Sequence, residues 1–240
     1  MRKVAVVTGA AKGLGRDISL YFAKEGYEVV AHYNKSKIEA ESLLKKLKEH
    51  SPASSIIQAD LKSEKEAEQM FKKIYKKYKF VDVLVNNVGN FLYKKLETTT
   101  TKEFKDVLES NVYCTLFCSR QVLPFMRKKR GGHIINIGAA GADRFILREN
   151  VIPYFMAKNG VYLLTKAMAR EEGRYGIHIN MVSPASMKTD IFKGKDFPMG
   201  REVKYADVVG AIGFLLSKRA YYINGANIEV SGGFIPGAGE

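Results

Sequence analysis

The sequence has few of the features that mark secreted or membrane proteins. Only two of its 240 residues are cysteine, too few for a disulfide framework, which favours a reducing, cytoplasmic compartment. The first apolar run, residues 4–7, is too short for a signal peptide, and no later run approaches the ~20 apolar residues of a membrane span. Linkers rich in proline or serine, low-complexity segments and internal repeats are also missing. We therefore expect one domain over residues 1–240, with no membrane partner.

Positive charge is what the sequence has in excess. Its 39 Lys and Arg against 25 Asp and Glu give a net charge of +14. Such an excess is typical either of nucleic-acid binding or of a lysine-covered surface. The densest basic run, 127–130, falls at the predicted end of a helix, where cations are favoured, and no aromatic residues interleave with it. We predict no nucleic-acid partner and keep a basic nucleic-acid-binding protein as the weakest alternative.

Short apolar runs alternate with segments of amphipathic helix along the chain. This alternation predicts right-handed β-α-β units, and hence an α/β fold with a doubly wound parallel sheet, Rossmann-like, in three layers. A capping box is expected at Thr100 and Glu103, and Pro153 suits the first turn of a helix. Strands are predicted at 4–7, 28–33, 55–59, 81–85, 133–137, 177–183 and 227–230, and helices after the first glycine turn, after Thr100, and at 38–47, 64–78, 113–126 and 153–174.

A glycine-rich turn follows the first predicted strand. It reads Thr-Gly-Ala-Ala-Lys-Gly-Leu-Gly over residues 8–15 and leads into an amphipathic helix. Small residues there allow a tight turn, let the backbone approach a pyrophosphate and direct a helix N-terminus at its charge. The turn predicts a dinucleotide site that includes Gly9, Lys12, Gly13, Leu14 and Gly15.

The turn's spacing, T-G-x-x-x-G-x-G, resembles that of the short-chain dehydrogenase/reductase family, and the resemblance extends along nearly the whole chain. Residues 86–89 resemble the family's Asn-Asn-Ala-Gly element, and residues 180–184 resemble the segment that closes over the nicotinamide. The resemblance implies that Asn111, Tyr154 and Lys158 are the catalytic residues, and it implies a homodimer or homotetramer. It further implies that Asp60, Leu61, Asn87, Gly89, Tyr154, Lys158, Met187 and Thr189 bind the cofactor.

The spacing Tyr-x-x-x-Lys occurs four times, so the spacing alone does not identify a catalytic pair. Only Tyr154/Lys158 opens the helix after the fifth strand, at the end of the sheet where open α/β folds place their ligands. A phenol with a pKa near ~10 exchanges protons poorly at neutral pH, and a lysine cation one helical turn away lowers that pKa. The other three pairs are Tyr33/Lys37, Tyr75/Lys79 and Tyr162/Lys166.

One position departs from the family pattern in a way that bears on catalysis. The family's serine at the end of the fifth strand is matched by Ala139, and residues 120–164 contain no serine or threonine. Loss of an oxyanion-type donor costs on the order of 10²-fold in rate. Asp143, Arg144 and Asn150 are candidate substitutes, and the pteridine reductase branch carries an aspartate there. Few residues follow Thr189 before 198–201, which leaves little chain for a flap over the substrate.

The second strand ends without a carboxylate that would repel a 2′-phosphate. Lys12 and Lys35 supply positive charge, and Asn34 and Ser36 can donate hydrogen bonds, so we predict NADP(H) as the cofactor.

Cys114 and Cys118, four apart on a helix, are expected to be buried packing residues, and the scattered histidines predict no metal site.

These observations predict an NADP(H)-dependent oxidoreductase that reduces a carbonyl, or oxidises the alcohol, with Tyr154 as proton donor. Its substrate is a small molecule or is carrier-bound, and the overall pattern resembles the 3-oxoacyl-carrier-protein reductase branch. Two alternatives stay open. One is a pteridine reductase-like enzyme, which the Ala-Ala-Lys turn and the His32–Tyr33 segment favour. The other is a nucleotide-binding protein whose turnover is weak or lost because of Ala139.

Overall fold

Seven strands form one parallel sheet in the computed structural model, which describes residues 2–144, 149–187 and 197–234. The order across the sheet is β3-β2-β1-β4-β5-β6-β7, and every neighbouring pair is parallel. This is the doubly wound arrangement that the sequence predicts. The strands are β1 (Val4–Val7), β2 (Glu28–Tyr33), β3 (Ser55–Gln58), β4 (Val83–Asn86), β5 (Gly132–Ile137), β6 (Ile177–Pro184) and β7 (Asn227–Val230).

In the described residues, seven α-helices connect and flank these strands. The Thr100–Glu103 capping box forms, and Pro153 lies in the first turn of its helix, as predicted. The predicted helix 113–126 is confirmed as Cys114–Lys129, and a π-helical segment, Glu109–Tyr113, which was not predicted, joins it to the helix before it. The helices are α1 (Gly13–Lys24), α2 (Lys37–Lys48), α3 (Glu64–Lys77), α4 (Thr101–Leu108), α5 (Cys114–Lys129), α6 (Ile152–Glu172) and α7 (Tyr205–Leu216).

The helix α7 is absent from the sequence prediction. Val208, Ile212 and Leu215 follow the i, i+4, i+7 spacing of a buried helix face and are buried in the structure. That spacing was available in the sequence. It is obscured because almost all of the remaining positions of this helix are also apolar, so that no polar face marks the helical period.

The core has two halves, one on each face of the sheet. Along β1, Val4 and Val6 pack with α3 and α5 on one face, whereas Ala5 and Val7 pack with α1 and α7 on the other. Successive strand residues point to opposite faces, so an all-apolar strand serves both halves at once. This explains why short runs without alternation mark the strands of this chain.

The sheet reverses its winding at β1, which lies between β2 and β4. Crossover connections on the two sides of such a point diverge and leave a crevice at the carboxyl ends of the strands. The residues that follow β1, β4 and β5 therefore meet at one edge of the sheet. The glycine turn and both Asn87 and Ala139 belong to these segments.

Much of the positive charge lies away from this crevice. Paired lysines on α2 and α3, such as Lys45–Lys46 and Lys72–Lys73, are exposed on the outer helix faces. In the basic run, Arg127 binds Glu172 and Lys129 binds Asp82, so these cations serve contacts within the fold. Across the described ranges, no helix is both long and apolar enough to cross a bilayer.

Candidate functional site

The glycine turn is held in place from the neighbouring strand β4. The Thr8 hydroxyl accepts hydrogen bonds from the backbone N–H groups of Asn87 (2.9 Å) and Val88 (3.1 Å). The Asn87 side-chain nitrogen donates in turn to the carbonyl oxygens of Thr8 (3.0 Å) and Gly9 (3.1 Å). Asn87, predicted as a cofactor-binding residue, thus lies at the site and fixes the shape of the turn.

The turn forms an open cradle that side chains would fill. Gly9 and Gly13 adopt left-handed backbone angles, with φ of 62° and 53°. A Cβ atom on Gly15 would overlap the carbonyl oxygen of Gly9 and lie 2.6 Å from the Asn87 side-chain nitrogen. The helix α1 begins at Gly13 without a side-chain cap and without an acidic residue in its first turn, so its N–H groups can receive an anion. These residues fit the pyrophosphate of a dinucleotide cofactor.

His32 supports the same turn and was missed in the sequence. Its Nδ1 accepts from the Gly9 N–H (3.1 Å), so Nε2 carries the proton and donates to the Ala59 carbonyl oxygen (3.0 Å). Burial lowers the pKa of His32 to about 4, which keeps the ring neutral. The ring therefore ties the turn to the ends of β2 and β3. No spacing rule marks this role, because the contact joins residues that only the sheet brings together.

Tyr205 is a second residue that the sequence reading missed. It opens α7, and its hydroxyl oxygen lies 3.4 Å from the place where a Cβ atom on Gly13 would be. The phenol thus faces the start of α1. Because α7 itself was not predicted, its first residue had no assigned position near the turn.

The predicted adenosine side lies at the ends of β2 and β3. The Asn34 carbonyl oxygen accepts from the Gln58 side chain (2.9 Å), and Ser36 precedes α2 without capping it through its side chain. Asp60 accepts from the Lys62 N–H (3.1 Å). Leu61 is buried in the core with its side chain, so only its backbone can reach a ligand.

Lys12 differs from the expectation of a free cation beside the cofactor. Its Nζ lies 2.6 Å from the Glu39 carboxylate, in the first turn of α2. In the sequence, Glu39 is the first carboxylate after β2. The packing of α1 and α2 brings Glu39 to the glycine turn, although Lys12 and Glu39 are 27 positions apart in the sequence.

Tyr154 and Lys158 come together at the first turns of α6. Lys158 Nζ lies 5.5 Å from the centre of the Tyr154 ring and donates to the Ile137 carbonyl oxygen (2.8 Å) at the end of β5. Lys158 is 5% exposed, and burial lowers its pKa to about 8. Phe91 packs edge-on against the Tyr154 ring at 4.9 Å.

The pair Tyr162/Lys166, on the same helix, has almost the same internal geometry. Lys166 Nζ lies 5.6 Å from the centre of the Tyr162 ring. Lys166, however, is exposed to solvent and lies two turns farther along the helix, away from the crevice. Position in the fold therefore separates two pairs that spacing and local geometry do not.

Asn111 lies in the π-helical segment between α4 and α5 and is fully buried. Its side-chain nitrogen donates to the carbonyl oxygens of Asn90 (3.0 Å) and Val107 (2.9 Å), which fixes the orientation of the amide. Its Oδ1 is buried with no partner among the described residues. Gly89 admits this oxygen, because a Cβ atom at that position would overlap it. An unpaired buried acceptor next to the predicted site is a place where a ligand or water can bind.

Ala139 packs in one cluster with Val151, Phe155 and Tyr154. Its methyl group thus lies on the Tyr154 side of the crevice, where the sequence predicts that a hydroxyl is missing. The segment after it is anchored from β7: Glu229 accepts from the Gly141 N–H (2.6 Å) and from Arg144 (2.9 Å).

The three candidate substitutes for the missing hydroxyl differ in their contacts. Arg144 is held by Glu229, and Asp143 lies 3.9 Å from the Arg144 guanidinium. Asn150 has a left-handed backbone, with φ of 63°, and its carbonyl oxygen accepts from the Lys94 N–H. Arg144 therefore serves the loop, and of the three candidates its side chain is the most firmly engaged.

Two predicted cofactor residues follow β6. Met187 is half-buried and packs against the core on the α1 and α7 face. Thr189 lies outside the described residues.

In the described part of the chain no group of His, Cys, Asp and Glu could hold a metal ion. Burial raises the pKa of the Cys114 thiol to about 12.

Comparison with known proteins gives consistent matches over nearly the full chain. A family model described as Enoyl-(Acyl carrier protein) reductase matches residues 9–235. The 3-oxoacyl-[acyl-carrier-protein] reductase FabG of Staphylococcus epidermidis is 34% identical, over 97% of this chain and 99% of that protein. The 3-oxoacyl-[acyl-carrier-protein] reductase of Synechocystis is 29% identical, over 97% of each. A solved structure from Agrobacterium tumefaciens, assigned as a gluconate dehydrogenase, has a TM-score of 0.88 and 28% identity, and it covers 96% of this chain and 95% of its own.

Proposed function

Because the chain belongs to the short-chain dehydrogenase/reductase family, an oxidoreductase family, we propose that it is an NADP(H)-dependent reductase of a ketone. The substrate class that we favour is a 3-oxoacyl group on an acyl carrier, as named for the relatives from Staphylococcus and Synechocystis. The observation that carries the proposal is the buried Lys158 next to Tyr154 at the carboxyl edge of the sheet. We place the enzyme in the cytoplasm, as a homodimer or homotetramer.

In this proposal Tyr154 is the proton donor to the substrate carbonyl oxygen. When bound, the nicotinamide supplies the hydride for the carbonyl carbon. Lys158, still largely cationic at pH 7 with its pKa of about 8, favours the phenolate form and thereby makes the phenol a better acid. Asn111 offers its unpaired oxygen to a water that can resupply the proton.

Residues of the glycine turn and of the first turn of α1 would hold the cofactor. Gly9, Gly13, Leu14 and Gly15 supply the close backbone approach to the pyrophosphate, together with the N–H groups of the first helical turn. Asn87, Gly89, Met187 and Thr189 complete the nicotinamide side, and Asp60 and Leu61 the adenine side. Preference for NADP(H) rests on Lys12 in the glycine turn and on Asn34 and Ser36 after β2, which ends without a carboxylate that would repel a 2′-phosphate.

A second candidate is a nucleotide-binding protein with weak or lost turnover. The packing of Ala139 beside Tyr154 favours it, since the methyl group cannot bond to a substrate carbonyl. The Tyr154 phenol beside the Lys158 cation speaks for an active enzyme, because a protein that only binds nucleotide needs no proton donor at this edge of the sheet. A pteridine reductase-like activity is the third candidate.

The test is NADPH oxidation with four substrate classes under identical conditions. Acetoacetyl thioesters test the favoured class, and crotonyl thioesters test the enoyl reduction that the family model describes. Dihydropterins and simple ketones test the remaining candidates. We expect turnover of the acetoacetyl thioester, and faster turnover with NADPH than with NADH. Tight NADPH binding with no turnover in any arm would support the binding protein instead.

Ala139→Ser is expected to raise kcat on acetoacetyl thioesters by roughly 10-fold or more, since it restores an oxyanion-type donor beside Tyr154. The site can accept the extra oxygen only if it points away from Val151 and Phe155, which form the apolar side of the cluster. Ala140→Ser, one residue along, is the matched control. An equal or lower rate for Ala139→Ser would indicate that another group already binds the carbonyl oxygen.

A further inference from the structure

The ion pair between Lys12 and Glu39 stands where the adenosine ribose of the cofactor is expected. Glu39 is in the first turn of α2, directly after the loop that follows β2. In dinucleotide folds the residues at the end of this strand decide between a ribose 2′-hydroxyl and a 2′-phosphate. The Lys12 ammonium, 2.6 Å from the Glu39 carboxylate, is thus paired with an anion of the same chain, although both side chains remain partly exposed.

Packing holds the two partners together. Ala11, Tyr33 and Ala40 form one buried cluster, which joins the glycine turn, the end of β2 and the first turn of α2. Arg16 adds a second connection, because its guanidinium donates to the carbonyl oxygens of Ala11 (3.4 Å) and Glu39 (3.1 Å). The carboxylate thus stays near the turn even when its own ion pair opens.

We propose that Glu39 is a specificity-determining residue, which competes with the cofactor 2′-phosphate for Lys12 and weakens the preference for NADP(H) over NAD(H). A 2′-phosphate and Glu39 are both anions, so a phosphate that binds Lys12 must displace the carboxylate or stay beside it. A ribose 2′-hydroxyl makes no such demand, and Glu39 can accept a hydrogen bond from it. The inference rests on the proposed use of a nicotinamide dinucleotide, and it adds a residue that opposes the proposed preference.

The test compares Glu39→Gln with Glu41→Gln. Both variants remove one negative charge from α2, but Glu41 pairs with Lys37, at 3.9 Å, instead of Lys12. Binding is measured by calorimetry for NADPH, NADH, 2′,5′-ADP and 5′-AMP. The two small nucleotides differ only in the phosphate at issue and need no catalysis.

Glu39→Gln is expected to tighten the Kd of NADPH and 2′,5′-ADP by roughly 3- to 10-fold, the size expected for one charge acting on a phosphate across partly solvated space. NADH and 5′-AMP should change less than about 2-fold, and Glu41→Gln should leave all four Kd values near those of the wild type. Higher ionic strength should shrink the difference between the two variants.

Equal effects of the two variants on 2′,5′-ADP would overturn the inference, as would equal tightening of NADH and NADPH by Glu39→Gln. If the protein bound none of the four nucleotides, both the inference and the proposed function would be overturned. A wild-type protein that binds 2′,5′-ADP no better than 5′-AMP would contradict the proposed NADP(H) preference alone. In that case the role of Glu39 is upheld if Glu39→Gln creates the discrimination.

Discussion

Replacing Tyr154 by phenylalanine is expected to lower kcat for carbonyl reduction by roughly 10²- to 10⁴-fold, the usual contribution of a positioned acid. The change removes the hydroxyl alone. The ring keeps its edge-on contact with Phe91 at 4.9 Å and its place beside Ala139, so the fold and the apolar side of the site should persist. Steady-state kinetics with NADPH and an acetoacetyl thioester measure the effect.

Tyr162→Phe is the matched control for this loss. Tyr162 lies on the same helix, four residues before a lysine, with nearly the same distance from ring centre to ammonium, 5.6 Å against 5.5 Å. Its removal should leave kcat within about 2-fold, because a phenol remote from the reacting carbonyl transfers no proton. Unchanged turnover in Tyr154→Phe would refute the proposed proton donor, and so would an equal loss in both variants.

Lys158→Met is expected to abolish most turnover and yet stabilise the protein. Burial holds the pKa of Lys158 at about 8, well below its ordinary value of 10.5, so the folded state bears a cost of about 3 kcal/mol for the buried cation at pH 7. Loss of the hydrogen bond to the Ile137 carbonyl oxygen destabilises the variant by about 1–2 kcal/mol. The net gain in the free energy of unfolding is about 1–2 kcal/mol, while kcat should fall on the order of 10²-fold or more.

The pH dependence gives this prediction its sign. Below pH 8 the lysine is charged in both the folded and the unfolded chain, so the wild type carries the whole cost. Between pH 8 and 10.5 the folded chain releases the proton first, and the advantage of the methionine variant fades. Urea unfolding at pH 7 measures nearly the full cost, and at pH 10, close to the unfolded pKa of 10.5, most of the stability difference should be gone. Lys166→Met, at an exposed position, is the control, and a destabilised Lys158→Met at pH 7 would contradict the argument.

The fold was largely predictable because its strands are short, mostly apolar in their centres and separated by helices. Such strands are buried on both faces, and Val4–Val7 supplies both halves of the core in alternation. Helical periodicity did not reveal α7, because apolar residues on nearly all of its sides leave no polar face that would mark the period. Nor did the pattern reveal the π-helical segment Glu109–Tyr113, which joins α4 to the helix predicted after Tyr113.

The candidate site was predictable where its residues are close in sequence. The glycine turn and the pair Tyr154/Lys158 are local patterns, and the structure brings them to the same edge of the sheet. The contacts of His32, Glu39 and Glu229 are not local. Each depends on two segments that meet only after the sheet has formed, and a list of charged or polar residues gives no sign of which ones will meet.

Glu229 has a consequence for the order in which the protein is completed on the ribosome. The loop after β5 is anchored by a bond between Gly141 and Glu229, residues 88 positions apart. Chains fold from the N-terminus as they emerge, so the glycine turn and β1–β4 can assemble while this loop still lacks its anchor. The nucleotide half of the site is therefore expected to mature first, and the side that faces the substrate only after β7 has been synthesised.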